Sequence, residues 1–221
     1  VDSANLVYAS NGFTGLGAEE VTLTDTELAD VATLNTLNGY TTRNIDASNI
    51  GSLTGTLTAL NTAYAAGAEF GNGISGLGNE AIVITADGLT TTTDAATLNI
   101  LNSYTTGNID ASSVTSFSGS ISDLNTIYAE AVSSGTEPSA TGTTGTEPSA
   151  TGTTGTEPAA TASTENGISN IGTESVTITD TTVSDASTLV TLNSSTSGVI
   201  TASSVTAVSY THLTLPTNQC V

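Results

Sequence analysis

The chain has 221 residues, of which 21 are acidic and only one, Arg43, is Lys or Arg, so its formal net charge is −20. Such a surface repels phosphate groups, which excludes nucleic acid binding and argues against contact with anionic membranes. No apolar run approaches the ~18 residues of a membrane-spanning helix, so we expect no membrane insertion. The polar surface is mostly Thr, Ser, Asn and Gly, and Thr favours a pleated, half-buried surface.

An internal repeat organises the chain. The stretch Thr42–Ala66, TRNIDASNIGSLTGTLTALNTAYAA, recurs 64 residues later as TGNIDASSVTSFSGSISDLNTIYAE, and a third, shorter copy begins at Ser175. Each copy can bury its apolar face only against its neighbours. The N-terminal VDSANLVYAS places Tyr8 where later copies have Tyr64 and Tyr128, so we expect the chain to begin inside an earlier repeat.

In chain order, each repeat opens with a glycine-rich loop at 12–20, 73–81 and 167–175. Short strands with apolar residues two apart are predicted directly after it, at 21–23, 82–84 and 176–178. Asp25 and Asp180 end two of these strands and are expected to cap the next helix.

Short helices are predicted next, at 29–40, 94–104 and 185–193. Leucines three apart mark one face of each helix, and Gly39 is expected to end the first. The leucine pairs are Leu34 with Leu37, Leu98 with Leu101, and Leu189 with Leu192.

A bent strand comes after each of these helices. In it Ile45, Ile109 and Ile200 are expected to point inward at equivalent places, with Gly55 and Gly119 as its ends. The second helix of each repeat has apolar residues spaced i, i+3, i+7. Those residues are Leu57, Leu60 and Tyr64 in one copy and Ile121, Leu124 and Tyr128 in the other.

Strands that alternate with short helices predict a right-handed α/β repeat solenoid with a parallel sheet on one side. An all-β solenoid is the alternative, because helices rich in Thr and Ser are weak by intrinsic propensity. The expected organisation is residues 1–20 as the end of a preceding repeat, 21–70 as repeat 1, 71–134 as repeat 2, 135–165 as a flexible linker, 166–207 as a truncated repeat 3, and 208–221 as an artefactual tail.

The linker contains the unit TEPSATGTTG twice. Its composition cannot form a core, which favours a spacer over a stalk carrying O-linked sugar. In the tail, Val208–Thr217 reads VSYTHLTLPT and resembles one reading frame of a transposase adapter used in sequencing libraries. The only His (His212) and the only Cys (Cys220) lie in this tail.

The phrases GISGLGNEAIVIT, ATLNILNSYTTGNIDASSVTSFSG and DLNTIYAEA resemble repeats of giant secreted or cell-surface proteins of marine bacteria, notably cyanobacteria. Those proteins are often adhesin-like and carry calcium-binding nonapeptide repeats elsewhere in the chain. The resemblance covers residues 1–134 and 166–207. It implies an extracellular or cell-surface location but no site residues, and the calcium signature G-G-x-G-x-D does not occur here.

No catalytic, cofactor-binding or metal-binding residues are predicted. Without His or Cys before the tail, neither a Ser-His-Asp triad nor a zinc site can form there. Asp46 and Asp110 share a repeat position and could stack as paired acids, although turn acids are the simpler interpretation. Calcium bridging between repeats is a weaker alternative to no cofactor. Its candidate ligands are Asp25, Asp46, Asp87, Asp110 and Asp180.

The sequence therefore predicts a non-catalytic structural or adhesive segment of a large secreted or surface protein. Its partners would be neighbouring repeats of the same chain, with surface polysaccharide or other cells as further candidates. The alternative is an accessory region of an extracellular polysaccharide-acting enzyme. An ice-binding Thr-x-Thr row, suggested by Val21–Thr24 and Val176–Thr179, ranks last.

Overall fold

The computed structural model describes residues 1–67, 73–85, 92–131 and 167–209. Short helices alternate with very short strands, so the fold class is α/β. The helices are α1 (Asp2–Tyr8), α2 (Val31–Tyr40), α3 (Leu57–Ala66), α4 (Ala95–Tyr104), α5 (Ile121–Ala129) and α6 (Ala186–Ser195). The prediction of mixed strands and helices is confirmed, and the all-β alternative is wrong.

The strands are two to four residues long. They are β1 (Val21–Thr22), β2 (Glu27–Leu28), β3 (Asn44–Asp46), β4 (Ser52–Gly55), β5 (Gly73–Ser75), β6 (Ala81–Ile84), β7 (Thr92–Asp94), β8 (Asn108–Asp110), β9 (Ser116–Gly119), β10 (Gly167–Ser169), β11 (Ser175–Ile178), β12 (Thr182–Val183), β13 (Ile200–Thr201) and β14 (Ala207–Val208).

One helix and the strands that precede the next helix form a unit. Numbered from the N-terminus, units 1, 3 and 5 begin with α1, α3 and α5, and units 2, 4 and 6 begin with α2, α4 and α6. Units 3 and 5 contain three strands each, whereas units 2, 4 and 6 contain two. Each helix contacts the helix of the next unit.

All strand pairs of the described residues are parallel. They form sheets of order β1-β3-β5, β2-β4-β6-β8-β10, β7-β9-β11-β13 and β12-β14. A three-stranded unit pairs its first two strands with the unit before it and its last two with the unit after it. Units 3 and 5 therefore each end one sheet and begin another, because β5 and β10 are terminal strands and so are β7 and β12.

The core is one continuous cluster between the helices and the strands. It is built from the leucine faces of the helices and from inward side chains of the strands, such as Ile45, Leu53, Ile109 and Phe117. Ile45 and Ile109 point inward as predicted, but Ile200 is only partly buried, because within the described residues β13 pairs with β11 alone.

Two local predictions are wrong. The bent strand is in fact two strands, β3 and β4 or β8 and β9, joined by a turn in which Ile50 N donates to the Ala47 carbonyl oxygen at 3.0 Å. Gly39 does not end α2, which continues to Tyr40. Gly55 and Gly119 do end β4 and β9, where a Cβ would collide with Val31 and Ala95.

The expected linker, 135–165, lies outside the described residues, but its flanks do not. Ala131 forms a parallel bridge with Ile168, and Ile168 N donates to the Glu130 carbonyl oxygen at 2.9 Å. The strands beyond it pair directly with those before it, since β10 pairs with β8 and β11 pairs with β9. Ala131 before the linker and Ile168 after it are thus direct neighbours within unit 5.

The first residues of the expected tail also continue the pairing. Val208 pairs with Val183, and Ser209 both donates to the Val183 carbonyl oxygen (2.8 Å) and accepts from Ala186 N (2.9 Å). His212 and Cys220 lie beyond the described residues.

Candidate functional site

The two acids at equivalent repeat positions are not neighbours. Asp46 ends β3, which pairs with β1 and β5, whereas Asp110 ends β8, which pairs with β6 and β10. Each carboxylate instead accepts the backbone N–H two residues on, from Ser48 at 3.0 Å and from Ser112 at 2.9 Å. The carboxylate pair that glycoside chemistry would need is therefore absent at this position, and both acids are turn acids.

Hydrogen bonding keeps these carboxyl groups ionised. Bonds from the Ser48 side chain and backbone hold the pKa of Asp46 below its ordinary value. At Asp110, partial burial raises the pKa, but donors from Asn170 and Ser112 outweigh it, so the net direction is again downward. Ionised carboxylates that accept backbone hydrogen bonds stabilise turns, which is consistent with a structural role for both acids.

Asp25 and Asp180 bind helix starts, but not those of the helices that come directly after them. Asp180 Oδ2 accepts from the backbone N of Ile121 (2.6 Å), the first residue of α5. Asp25 Oδ2 accepts from the N-terminal ammonium of Val1 (2.9 Å), beside α1. The caps of α2, α4 and α6 are instead Asp30, Asp94 and Asp185.

The described candidate calcium ligands do not form a group of three or more. Among the described residues, no group of three or more His, Cys, Asp or Glu side chains could hold a metal ion. Asp87 lies outside the described ranges.

A groove lies between α5 and α6. Its cavity volume is about 550 Å³, with apolar side chains of Ile121 and Val183 and a rim that carries Asp180, Thr182 and Ser184. A cavity of about 380 Å³ occupies the matching position between α1 and α2, lined among others by Val1, Asp25, Glu27, Leu28 and Ala29. The grooves carry acidic and neutral groups, which suits neutral or cationic ligands and disfavours anionic ones.

A buried carboxylate joins α3 to the glycine-rich loop before β6. Glu80 is only 1% exposed, and its Oε2 accepts from the Tyr64 hydroxyl (2.8 Å) and from Gly78 N (2.8 Å). The Tyr64 ring stacks on that of Tyr104 at the end of the next helix, with centroids 6.0 Å apart. This set, which we call the tyrosine–glutamate clip, therefore connects α3, the loop before β6 and α4.

The first repeat contains a second clip. Tyr8 Oη donates to Glu19 Oε2 (3.1 Å), Gly17 N donates to the same oxygen (2.7 Å), and the Tyr8 ring stacks on Tyr40. Burial beside an anion raises the pKa of both Tyr8 and Tyr64. These tyrosines are therefore neutral donors, and neither acts as a phenolate nucleophile at neutral pH.

The third repeat keeps the acid but changes the stack. Glu174 is buried and accepts from Gly172 N at 2.7 Å, while Tyr128 packs edge-on against Phe117. Burial raises the pKa of Tyr128 to about 12, and the Glu174 carboxylate acts in the same direction. Ser195 stands where the other repeats have Tyr40 and Tyr104.

An asparagine ladder runs through the helices. In each case the Asn side chain Nδ2 donates to a backbone carbonyl of the next helix, two residues before that helix's own equivalent position. The pairs are Asn5 to Thr33 (2.8 Å), Asn35 to Ala59 (2.9 Å), Asn61 to Thr97 (3.2 Å), Asn99 to Asp123 (3.1 Å) and Asn125 to Thr188 (3.1 Å). In α6 the ladder position is Val190, which is 70% exposed.

Comparison with known proteins gives no relatives. No protein-family model, no curated protein and no solved structure matches the chain. In the described parts of the chain, no helix is long and apolar enough to cross a membrane.

The sequence reasoning missed both the clip and the ladder. Their signals are present, because Gly-x-Glu recurs at Gly17, Gly78 and Gly172 and the dipeptide Leu-Asn recurs in α2 to α5. Neither motif indicates which residue will bond to it, because the partner of each polar group lies in a different helix or loop.

Proposed function

We propose that this chain is a non-catalytic structural segment of a large secreted or cell-surface bacterial protein. Its units would stack as an α/β solenoid that serves as a spacer. The asparagine ladder carries the proposal, because one hydrogen bond with one offset joins each helix to the next from α1 to α6. A compact fold without translational repetition would not be expected to form the same helix-to-helix hydrogen bond five times.

The strand register supports the same arrangement. Ile45 pairs with Ile74, and Ile109 pairs with Ile168, so equivalent residues of successive repeats make equivalent cross-strand pairs. The clips and the turn acids are likewise interactions that hold the backbone in place. The surface location rests on the resemblance to bacterial surface repeats and on the acidic, Thr-rich composition.

Removal of one period tests the solenoid. Deleting residues 42–105 joins Thr41 to Thr106 and removes 64 residues in register. Helices pack ~8–10 Å apart and strands ~4.8 Å apart, so loss of two units should shorten the particle by roughly 10 to 20 Å. Small-angle X-ray scattering measures this length.

The matched control deletes residues 42–98, which breaks the register and removes the first four residues of α4. We expect the in-register variant to unfold cooperatively and the control to aggregate or remain unfolded. Equal failure of both variants would refute stacked, interchangeable units. The location is tested separately by antibodies against the chain, which should label intact cells of the source organism.

An adhesive role is a second candidate, favoured by the recurrence of the groove at α1/α2 and α5/α6. Neutral surface polysaccharide fits its hydroxyl-rich rim. Titration with neutral and acidic polysaccharides should give saturable binding to the neutral class only, and Ser184→Tyr, which fills the groove, should abolish it. Equal binding by the variant would place any adhesion elsewhere.

A further inference from the structure

We propose that the connection between the first helix of a repeat and its next strand is an insertion site, at which the stack presents an added segment to its surroundings. Between α5 and β10 this site would carry residues 132–166 at the side of the stack and not between two separate stacks. The inference rests on the stacking proposed above and adds a defined place for display. The residues that carry the argument lie on both sides of the connection.

The length of this connection differs between repeats. From the tyrosine of the helix to the first glycine of the next glycine-rich loop, there are three residues in the first copy (9–11), eight in the second (65–72) and 38 in the third (129–166). The turn between β3 and β4, by contrast, has five residues in each of its three copies. Insertions in repeat proteins map to loops on one face, which is often the face that binds partners.

The two ends of the connection have the same geometry at both of its longer lengths. Gly67 and Ala131, each three residues after the helix tyrosine, donate their backbone N–H to the carbonyl oxygen of that tyrosine at 3.0 and 3.3 Å. Gly67 lies so close to the next strand that a Cβ would come within 2.7 Å of the Ile74 carbonyl oxygen. Ala131 forms its bridge with Ile168, the residue equivalent to Ile74. A change from 8 to 38 residues therefore leaves both ends in place.

The units make the same contacts across the long connection as across the short one. Strand β9 pairs with β11 as β4 pairs with β6. Asn125 donates to the Thr188 carbonyl oxygen, and Asn61 donates in the same way to that of Thr97. A segment that separated two stacks would interrupt the strand pairing and the ladder at this point. Both continue, as expected if the added residues lie beside the stack.

The connections of successive repeats reach the stack at equivalent points. Strands β5 and β10 are the first strands of units 3 and 5, and each connection enters at the first residue of its strand, Gly73 or Gly167. Inserted segments would therefore emerge on the same side, two units apart, which is roughly 10 to 20 Å. The entropic cost of closing a loop grows only with the logarithm of its length, so one site can accept segments of very different size.

The distance between two spin labels tests where the added residues lie. In a Cys220→Ser background, Ile100→Cys on α4 and Val190→Cys on α6 are labelled together, because both side chains are at least half exposed. Circular dichroism checks that the labelled chain is folded. Helices two units apart have axes separated by roughly 16 to 20 Å, so we expect one narrow distance distribution. Replacement of residues 129–166 by the short connection, 65–72, should leave it unchanged.

A second experiment measures the tolerance of the site itself. A Gly/Ser segment of about 30 residues is inserted after Gly71, in the short connection, or after Ser112, in the turn between β8 and β9. The first insertion lengthens a loop from 8 to about 38 residues and should lower the ratio of folded to unfolded chains roughly tenfold in urea unfolding. The control insertion also breaks the hydrogen bond from Val114 N to the Ala111 carbonyl oxygen, so the ratio should fall roughly a hundredfold.

Two outcomes would overturn the inference. A broad distance distribution that narrows only when the connection is shortened would show that residues 132–166 separate the repeats on either side. Equal losses from the two insertions would show that this connection is no more tolerant than the rest of the fold. The deletion of residues 42–105 tests the stacked units without altering the connection between α5 and β10. If that variant folds while either of these results is obtained, only the insertion site is rejected.

Discussion

Replacement of Ile109 by Ala tests how the units depend on one another. The Ile109 side chain is fully buried and its residue pairs with both Ile82 and Ile168, so truncation leaves a cavity between two neighbouring strands. Large-to-small substitutions at such sites cost about 2–5 kcal/mol. Ile200 has the same repeat position, but in the part of the chain that the structure describes it has a neighbouring strand on one side only, so Ile200→Ala should cost less than about 1.5 kcal/mol.

Urea unfolding followed by circular dichroism measures both losses. Ile100→Ala is the surface control, because its side chain is half exposed on α4, and it should change the free energy of unfolding by no more than about 0.5 kcal/mol. The reasoning fails if Ile109→Ala and Ile200→Ala lose equal stability. Equal losses would mean that burial at this position comes from within one repeat and not from both neighbours.

Three further predictions concern the polar contacts and the C-terminal segment. Asn99→Ala removes the ladder donor to the Asp123 carbonyl oxygen and should cost about 1–3 kcal/mol in urea unfolding, the penalty for an unsatisfied buried acceptor; if the loss is negligible, the ladder does not stabilise the stack. The pKa of Tyr128 is raised to about 12 from 10.0, so the folded state holds the phenolic proton more tightly. Its contribution to stability is complete below pH 10 and is lost as the pH rises through about 12; Tyr128→Phe should flatten this alkaline decline, and an unaltered decline would assign it to other groups. Deletion of residues 208–221 should destabilise the chain because β14 and the bond to Ala186 N are lost, whereas deletion of 210–221 is expected to change the free energy of unfolding by no more than about 0.5 kcal/mol, as for non-contributing residues; the same loss in both truncations would contradict this division.

The helices could be predicted because their apolar spacing is a local signal. Leu34 and Leu37, or Leu98 and Leu101, lie three apart and are buried on one face, as the sequence indicates. Leu189 is only half-buried, since among the described helices only α5 packs beside α6. The helix α1 was not predicted, because the first repeat offered only Tyr8 for comparison.

The short strands that come directly before α2, α4 and α6, which are β2, β7 and β12, could not be predicted. Thr92–Asp94 and Thr182–Val183 are too short to show alternation, and their extended conformation is fixed by pairing with β9 and β14. The same reason explains why the polar contacts were missed. From the sequence alone Glu80 and Asn99 would be placed at the surface, because their partners, the Tyr64 hydroxyl and the Asp123 carbonyl oxygen, lie in other elements of the fold. A single sequence shows which residues recur, but it does not show to which other element of the fold they bond.

The alternation of two- and three-stranded units has a geometric consequence for any ligand with a regular lattice. The longest sheet of the described residues begins at β2, the last strand of unit 1, and ends at β10, the first strand of unit 5. Five strands at ~4.8 Å span only about 19 Å. Among the described residues, outward-facing side chains can therefore line up across at most five paired strands. If further units stacked in the same way, this surface would consist of several short sheets rather than one long plane. Such a surface is a poor match for an ice face or a crystalline polymer. A ligand that contacted many units would have to be flexible enough to follow the successive sheets.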